Sequence, residues 1–418
     1  MTNYPVNWKT KRLEEVSDVI DPHPSHRAPA IDPNGIPFVG IGDVREDGIA
    51  DFRRARLVSP KILSEHAERY SLETDLIGLG RVASVGKVVK LPKGDIPYTI
   101  SPTLAVISPR EISFDFLYYA LQTPQIQNQL SGLKQGSGRQ SVGILKLRKV
   151  VVPFPPLDEQ RKIVELLEDH MSRLDAALTD VKQAKIKAAQ FRRSLLQAAF
   201  TGYFGSDGTR LMTELPQGWT RTTIGEVCEK PKYGWTTSAS ESGQIRLLRT
   251  TDLTRGPLTW ESVPFCKESP KNFADFEVHK NDIFISRAGS VGVSVLVKEV
   301  PFASVFASYL IRLRPTNKVN AKFLALFLQS PNYWDQVLEL SSGIALANIN
   351  ATKIQSMSLP LPPLPEQHKI VEILEDHLSR LDASIVLADA MEKQSAGLRR
   401  SLLQAAFTGQ LTKEVASV

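Results

Sequence analysis

Residues 153–202 read PFPPLDEQRKIVELLEDHMSRLDAALTDVKQAKIKAAQFRRSLLQAAFTG, and residues 360–409 read PLPPLPEQHKIVEILEDHLSRLDASIVLADAMEKQSAGLRRSLLQAAFTG. The two stretches start 207 residues apart and align without a gap, with 31 identical positions of 50. A repeat of this length indicates a chain that is built of two related halves. Two related halves predict a pseudo-two-fold symmetric molecule that presents equivalent surfaces at two places.

Each copy of the repeat has the pattern of one long helix, with prolines before it and a glycine after it. Apolar residues recur at alternating steps of four and three, which is typical of a coiled-coil seam. About 40 residues rising 1.5 Å each make a helix roughly 60 Å long. We expect the two helices to pack antiparallel; a helical hairpin inside a globular core is the alternative. The seam residues of the first copy are Ile163, Leu167, His170, Leu174, Ala177, Val181, Ala184, Ala188, Phe191, Leu195 and Ala198, and Met391 and Leu398 are among those of the second.

Identity within the repeat is concentrated at 159–176 and 189–202 and is absent at 177–188. A buried seam needs only apolar residues, yet many charged and polar positions recur unchanged. This pattern favours two copies of one partner that dock at two equivalent surfaces; a recent duplication without selection is the alternative. The predicted docking residues are Glu165, Glu168, Asp169, Arg173, Arg192, Arg193 and Gln197, with Glu372, Glu375, Asp376, Arg380, Arg399, Arg400 and Gln404.

The composition of the 418 residues is that of a globular protein, with 42% hydrophobic and 23% charged residues. No apolar run is long enough for a membrane span, and the N-terminus lacks the apolar core of a secretion signal. Only Cys228 and Cys266 occur, which favours a cytoplasmic protein without disulfides or thiolate-bound metal. The two histidines of the DPHPSH loop, His23 and His26, give no pattern of a metal site, and we predict none.

The net charge of +6 is unevenly distributed: residues 1–152 and 210–359 each carry +4, and the repeats with their tails carry −2. Positive charge outside the repeat suits contact with nucleic acid. These two segments also share a faint skeleton, in which the sequence Arg-x-x-Ser-Val-Gly occurs at Arg81–Gly86 and Arg287–Gly292. Short apolar runs separated by glycines predict a small mixed sheet with short helices in each segment. The aromatic residues of SPNYW at 330–334 are expected to pack against the preceding helix.

The fold class predicted from these patterns is α+β. Two small mixed α/β domains, 1–152 and 210–359, alternate with two long antiparallel coiled-coil helices, 153–209 and 360–418.

Loops of the two segments supply the candidate DNA contacts. An arginine beside a glycine turn suits a phosphate, so Arg81 and Arg287 are both expected to contact the DNA backbone. Arg and Gln side chains make bidentate contacts to guanine and adenine, which favours loop 134–143 as a base reader. In each loop a solvated surface is the alternative. The candidates are Arg27, Arg81, Ser84, Gly86, Lys87, Lys134, Arg139, Gln140, Ser141, Lys232, Tyr233, Trp235, Arg249, Arg287, Ser290, Gly292, Asn348 and Asn350.

Catalytic motifs are missing from the sequence. Gly80–Val88 departs from a phosphate-binding loop both in its glycine spacing and in Val88, which stands where a magnesium-binding hydroxyl is required. No Asn-Pro-Pro-Tyr/Phe tetrapeptide of amino-methyltransferases and no nuclease constellation occurs. No residue pattern in the sequence therefore calls for catalysis.

The chain alternates variable segments with long helices. The helices open on PPLDEQ at 155–160 and PPLPEQ at 362–367 and end in LLQAAFTG, and the variable segments carry the paired RxxSVG elements. This arrangement resembles the specificity subunit of type I restriction–modification systems. The resemblance covers essentially the whole chain. It implies two target-recognition domains that each read one half of a bipartite, asymmetric site in double-stranded DNA. It also implies two methyltransferase subunits docked on the spacer helices.

The same resemblance implies that the chain is a non-catalytic reader of DNA and binds no cofactor. S-adenosylmethionine would belong to the methyltransferase subunits, and ATP with Mg²⁺ to motor-nuclease subunits where these are present. Two other functions stay open at this point: a stand-alone DNA-binding regulator or decoy with the same fold, which would purify without a methyltransferase, and a self-sufficient enzyme, which the missing motifs disfavour.

Overall fold

The computed structural model of the protein describes residues 4–23, 25, 28–45, 48–91, 93, 97–136, 138, 140–201, 215–341 and 348–411. The chain divides into two compact units, of which the first combines Met1–Val181 with Ala390–Val418 and the second is Lys182–Asp389. The first unit is therefore discontinuous in sequence, whereas the second is a single stretch. No helix among the described residues is long and apolar enough to cross a membrane.

Short strands dominate the two halves outside the repeat. The strands of the first half are β1 (Lys9–Arg12), β2 (Ser17–Ile20), β3 (Ile36–Val39), β4 (Arg56–Val58), β5 (Leu76–Gly80), β6 (Val88–Leu91), β7 (Thr99–Ile100), β8 (Leu104–Pro109) and β9 (Val151–Phe154). Those of the second half are β10 (Thr220–Thr223), β11 (Lys232–Tyr233), β12 (Ala239–Ser240), β13 (Arg246–Leu248), β14 (Phe265–Cys266), β15 (Ile283–Ser286), β16 (Ser294–Leu296), β17 (Ser304–Phe306), β18 (Leu310–Leu313) and β19 (Ser358–Leu361).

Helices are interspersed among the strands in both halves. The first half contains α1 (Leu13–Val16), α2 (Lys61–Ala67), α3 (Phe114–Gln122), α4 (Pro124–Gly132), α5 (Ile144–Arg148) and α6 (Leu157–Ala199). The second half contains α7 (Ile224–Val227), α8 (Thr250–Thr254), α9 (Phe273–Phe276), α10 (Ala321–Phe327), α11 (Pro331–Ser341), α12 (Ala351–Gln355) and α13 (Leu364–Phe407). The long helices α6 and α13 thus coincide with the two copies of the repeat.

The sheets of each unit are small and mixed. In the first unit they have the orders β2-β8-β5-β6, β4-β3-β7 and β1-β9, and in the second β11-β18-β15-β16, β12-β14-β13-β17 and β10-β19. The pair β3–β7 and the pair β13–β17 are parallel, whereas the other pairs are antiparallel. The central strands β5 and β15 are buried along their whole length, which explains their continuous apolar sequences. Thus the predicted α+β class is confirmed.

Within each unit, one half of α6 runs antiparallel to one half of α13. In the second unit Lys185 Nζ lies 2.7 Å from Asp389 Oδ1, and Arg192 Nη1 lies 2.7 Å from Asp382 Oδ1. In the first unit the corresponding ion pair joins Asp175 to Arg399. The residue numbers of the paired side chains rise along α6 as they fall along α13, which confirms the predicted antiparallel packing.

The seam prediction is correct as far as Leu174 and Leu381 and, beyond them, at every second position, such as Leu195 and Ala388; the positions between these are wrong by one. Phe191 and Leu398, predicted as seam residues, are 49% and 52% exposed. The neighbouring Arg192 and Arg399 face the partner helix instead. A straight α-helix has 3.6 residues per turn, so a strict 3.5-residue repeat drifts around its surface. One additional four-residue step in the seam of each helix corrects this drift and leaves the side chains of Phe191 and Leu398 facing solvent.

A buried glutamine fixes the start of each long helix. The Gln160 amide accepts from the backbone N–H of Ser113 at 2.9 Å and donates to the carbonyl of Pro155 at 2.8 Å. Gln367 repeats this with the N–H of Asn320 at 2.7 Å and the carbonyl of Pro362 at 2.9 Å. Both side chains are fully buried. The Gln of the PPLxEQ motif therefore ties the helix start to the segment that opens α3 or α10.

Gln367→Leu is expected to lower the free energy of unfolding of the second unit by about 2 kcal/mol, because it leaves the backbone N–H of Asn320 and the carbonyl of Pro362 without their amide partner. Urea denaturation of the full chain measures this change. Gln394→Leu, at an exposed position of the same helix, serves as the control. Equal stability of the two variants would contradict the anchoring role of Gln367.

Candidate nucleic-acid interface

The two RxxSVG elements form hairpin turns of the same design. They connect β5 to β6 and β15 to β16, and each is closed by a bond from the glycine N–H, Gly86 to the carbonyl of Gly80 and Gly292 to that of Ser286, both at 2.9 Å. Gly86 and Gly292 adopt φ angles of +93° and +86°, which favour glycine. The serines Ser84 and Ser290 lie exposed on these turns.

A following helix holds each turn through the glycine carbonyl. Gln127 Nε2 in α4 donates to the carbonyl of Gly86, and Tyr333 Oη in α11 donates to that of Gly292, both at 2.8 Å. Tyr333 also packs edge-on against Phe327 at the end of α10, with ring centroids 6.2 Å apart. The prediction that the SPNYW aromatics pack against the preceding helix is confirmed for Tyr333.

Each turn lies beside the loop that was predicted to read bases. In the first unit the N–H of Ala83 donates to the carbonyl of Gln140 at 2.9 Å, and the N–H of Val142 donates to that of Arg81 at 2.8 Å. In the second unit the N–H of Ile349 donates to the carbonyl of Arg287 at 3.1 Å. The turn and the loop, which are far apart in sequence, therefore form one surface in each unit.

Lys134 and Gln140 of the first loop are exposed, and Ser141 is half-buried. Backbone bonds between Gln135 and Ser141, 2.9 Å in both directions, hold the loop closed. Arg27 and Arg139, also predicted to contact DNA, lie outside the described residues. In the second unit Asn348 is half-buried, and Asn350 accepts from the N–H of Lys353 at 2.8 Å as the N-cap of α12.

The arginines of the two turns have different surroundings. Arg81 is 8% exposed; its Nη2 lies 3.0 Å from Asp21 Oδ2 and its Nε donates to the carbonyl of Pro102 at 2.7 Å. Arg287 is half-buried, and its guanidinium carbon lies 4.8 Å from the centroid of the Tyr233 ring. An aromatic ring leaves the positive charge uncompensated, whereas the Asp21 carboxylate neutralises it. Of the two turn arginines, Arg287 is the one without a carboxylate partner among the residues that the structure describes.

Several other predicted contacts have polar partners within the chain. Lys232 Nζ lies 3.0 Å from Asp275 Oδ1, and Trp235 Nε1 donates to the carbonyl of Glu268 at 2.9 Å. Lys87 Nζ donates to the carbonyl of Val44 at 3.0 Å. Arg249 forms a bidentate pair with Asp252, at 3.1 and 3.0 Å.

Comparison with known proteins identifies the family of this chain. A family model described as "Type I restriction modification DNA specificity domain" matches residues 5–188 and 216–385, which together make up most of the chain. The chain belongs to this family. It is a type I restriction–modification specificity subunit that serves DNA sequence recognition, and it is not a catalytic subunit.

Relatives with the same role are distant in sequence. The specificity subunit of the type I restriction enzyme EcoBI from Escherichia coli is 26% identical over 325 residues, which cover 72% of this chain and 66% of the relative. That of EcoKI from E. coli strain K12 is 23% identical over 372 residues, which cover 85% of this chain and 78% of the relative. That of StySPI from Salmonella potsdam is 25% identical and covers 85% and 78%.

Two solved structures share the fold. A chain from a study of complex assembly and conformational transition of the type I R-M system aligns with a TM-score of 0.72 at 23% identity, covering 97% of this chain and 99% of that one. The HsdS subunit of Thermoanaerobacter tengcongensis aligns with a TM-score of 0.62 at 24% identity, covering 97% and 98%.

The long helices of this specificity subunit present most of the predicted docking residues to solvent. Of the fourteen, eleven are exposed and three, Arg192, Arg399 and Glu375, are half-buried. Arg192 and Arg399 pair with Asp382 and Asp175, so contact between the helices is by itself a reason for their identity in the two copies. These two aspartates were not among the predicted docking residues, although they are identical in the two copies of the repeat.

Four further pairs connect predicted docking residues to other side chains of the specificity subunit. They are Asp169 with Arg173 and Asp376 with Arg380, both at 3.0 Å, Glu375 with Lys322 at 2.9 Å, and Glu168 with Tyr119 at 3.5 Å. Exposed ion pairs of this kind contribute little to stability. Their carboxylates and guanidinium groups therefore remain accessible to another protein at small cost.

His23 and His66 of the first unit form a buried hydrogen-bonded network. His66 is fully buried, and its Nε2 lies 2.8 Å from His23 Nδ1. Its Nδ1 contacts Thr99 Oγ1 and lies 3.3 Å from Tyr70 Oη. Burial, with the charges of His23 and Arg69, lowers the pKa of His66 to about 4, so it is neutral at pH 7. Among the described residues, no three His, Cys, Asp or Glu side chains come together as a metal site.

Proposed function

We propose that residues 1–152 and 210–359 are two recognition domains that each read one half of a bipartite, asymmetric DNA site. Residues 153–209 and 360–418 would form the spacer between them. The observation that carries this proposal is the turn-and-loop surface that occurs once in each unit with different side chains. Equivalent frames with different side chains suit two half-sites of different sequence.

Within each surface, different residues are candidates for contacts with the DNA backbone and with the DNA bases. Arg287 is the phosphate ligand that its uncompensated charge favours, with Ser84 and Ser290 as exposed hydroxyl donors on the turns. Lys134 and Gln140 are exposed on the adjacent loop of the first unit, and Gln140 suits bidentate contact with adenine. The proposal gives no phosphate contact to Arg81, because Asp21 already compensates its charge.

Two methyltransferase subunits are the proposed partners of the spacer helices. The charged residues that recur in both copies support this, and so do Phe191 and Leu398, equivalent apolar side chains that are 49% and 52% exposed. Exposed apolar residues beside charged ones are typical of protein interfaces. Those subunits would supply S-adenosylmethionine and methyl transfer, and motor-nuclease subunits, where present, would supply ATP hydrolysis with Mg²⁺.

Methylation mapping in cells that carry this chain and its methyltransferase tests the proposal. The expected result is one motif of two short specified parts separated by unspecified bases. Gln140→Ala, with its exposed loop position, is expected to relax specificity in one part only. A contiguous palindrome, or a relaxation that affects both parts, would overturn the proposal.

Arg287→Ala is expected to weaken DNA binding and to reduce the slope of log K against log salt by about 0.9, because one phosphate contact is lost. Arg81→Ala is the matched comparison: it breaks the ion pair with Asp21 and is expected to reduce stability while leaving the salt slope unchanged. Fluorescence anisotropy over a salt series measures both slopes. Equal slopes for Arg287→Ala and the wild type would refute the phosphate role.

A further inference from the structure

The two units differ at the positions that surround the turn arginine. In the second unit the N–H of Arg287 donates to the carbonyl of Tyr309 at 3.0 Å, and in the first the N–H of Arg81 donates to that of Thr103 at 3.0 Å. The same bond in both units makes Tyr309 the counterpart of Thr103. Thr103 is half-buried, and its Oγ1 accepts from the N–H of Ile41 at 3.0 Å. Tyr309, by contrast, is 64% exposed.

The strand register also identifies the counterpart of Tyr233. Tyr233 lies opposite Ile311 of β18, in the row that follows the pair Ser286–Leu310. In the first unit the pair Gly80–Leu104 takes the place of Ser286–Leu310. Ile20 of β2 pairs with Val106, so the next residue, Asp21, lies beside the row between Val106 and Leu104. Asp21 therefore stands where the second unit has Tyr233.

Arg287 joins the two tyrosines. Its backbone N–H donates to the carbonyl of Tyr309, and its guanidinium lies 4.8 Å from the Tyr233 ring. The three residues therefore lie together beside the end of β15 and the start of β18; we call them the tyrosine–arginine cluster. The first unit has an ion-paired arginine and an inward threonine at the same positions.

The backbone that carries the exposed ring of Tyr309 is held on both sides. The N–H of Ser308 donates to the carbonyl of Trp235 at 3.1 Å, and the N–H of Leu310 donates to that of Ala307 at 2.9 Å. Tyr233 is held as well, because its hydroxyl accepts from the N–H of Ala351 at 3.0 Å. A fixed backbone reduces the conformational entropy that is lost when the ring inserts between bases.

We propose that Tyr309 stacks into the DNA of the half-site read by the second unit and unstacks one base step there, while Arg287 contacts the adjacent phosphate. This inference rests on the proposed function. Duplex DNA is the partner that the cluster favours, because it offers phosphates to an uncompensated cation and bases to an aromatic ring. The first unit, with Thr103 in this place, reads its half-site without such a wedge. The two half-sites are therefore distorted unequally.

The test uses the full chain and duplexes that carry the mapped site, with 2-aminopurine substituted in turn at positions of both half-sites other than the methylated adenine. Fluorescence is expected to rise on binding at one position of one half-site only. Tyr309→Ala is expected to abolish that rise and to weaken binding roughly 10-fold. Tyr309→Phe, which keeps the ring, is expected to retain both, and Thr103→Ala is the control from the first unit.

Three results would overturn the wedge. One is the absence of any fluorescence rise with the wild-type chain, and another is a rise that persists in Tyr309→Ala. The third is a loss of methyltransferase assembly in Tyr309→Ala with DNA binding unchanged, which would make Tyr309 a protein contact. These results leave a bipartite methylated motif intact, whereas failure of the proposed function removes that motif and the wedge together.

Discussion

Phe407→Ala is expected to lower the free energy of unfolding of the first unit by about 3–5 kcal/mol, although the residue lies near the other end of the chain. Phe407 is fully buried, with its ring centroid 5.1 Å from that of Phe116 and 6.4 Å from that of Trp8. The substitution leaves a cavity in the core where these three rings meet. The end of α13 is thus a core element of the first unit.

Hydrogen exchange of the full chain locates this effect. Protection is expected to fall in the segments around Trp8 and Phe116 and to stay unchanged at Phe323 in the second unit. Leu398→Ala, in the same helix and 52% exposed, is the control and is expected to leave protection unaltered. Loss of protection confined to residues 402–411 would mean that the helix end frays without supporting the core, contrary to this prediction.

The variant Phe191→Asp/Leu398→Asp is expected to abolish assembly with the methyltransferase and methylation of cellular DNA. Both side chains are about half exposed, so a carboxylate there is tolerated in the isolated chain. In a complex the same carboxylate would be buried without a partner. Central interface residues contribute about 2 kcal/mol or more, so each substitution is expected to weaken its own contact at least about 30-fold.

Native mass spectrometry of the purified complex separates the two sites. Two methyltransferase subunits are expected on the wild type, one on each single variant and none on the double variant. Leu145→Asp, at a position that is 70% exposed and off the long helices, is the control and is expected to keep both. A double variant that still carries two subunits would place the docking surface elsewhere on the helices.

The sequence predicted the parts of this protein that depend on local pattern. The bounds of α6 and α13 follow from the repeat, its prolines and its glycines, and the RxxSVG turns follow from glycine. Beyond Leu174 every second seam residue was predicted one position too early, because a 3.5-residue pattern and a 3.6-residue helix diverge over forty residues. Local spacing cannot show where a helix corrects this drift.

Partners that are distant in sequence account for the rest of what was missed. Arg81 and Arg287 look alike in sequence, and only the pairing of β2 with β8 brings Asp21 to Arg81. The same holds for Gln160 and Gln367, whose role depends on backbone groups at Ser113 and Asn320. These contacts join residues far apart in sequence, and no motif reveals them.

The division of the chain into Met1–Val181 with Ala390–Val418 and Lys182–Asp389 sets an order for synthesis. The ribosome adds roughly 5–20 residues per second, so the first unit waits roughly 10–40 s after its own main segment emerges before its last helix arrives. At the end of that interval the later-made unit has all of its residues, before the first unit has received Ala390–Val418, and can close first. A nascent chain that stops before residue 390 would therefore carry a finished second half and an unfinished first half, a substrate for chaperones and proteases.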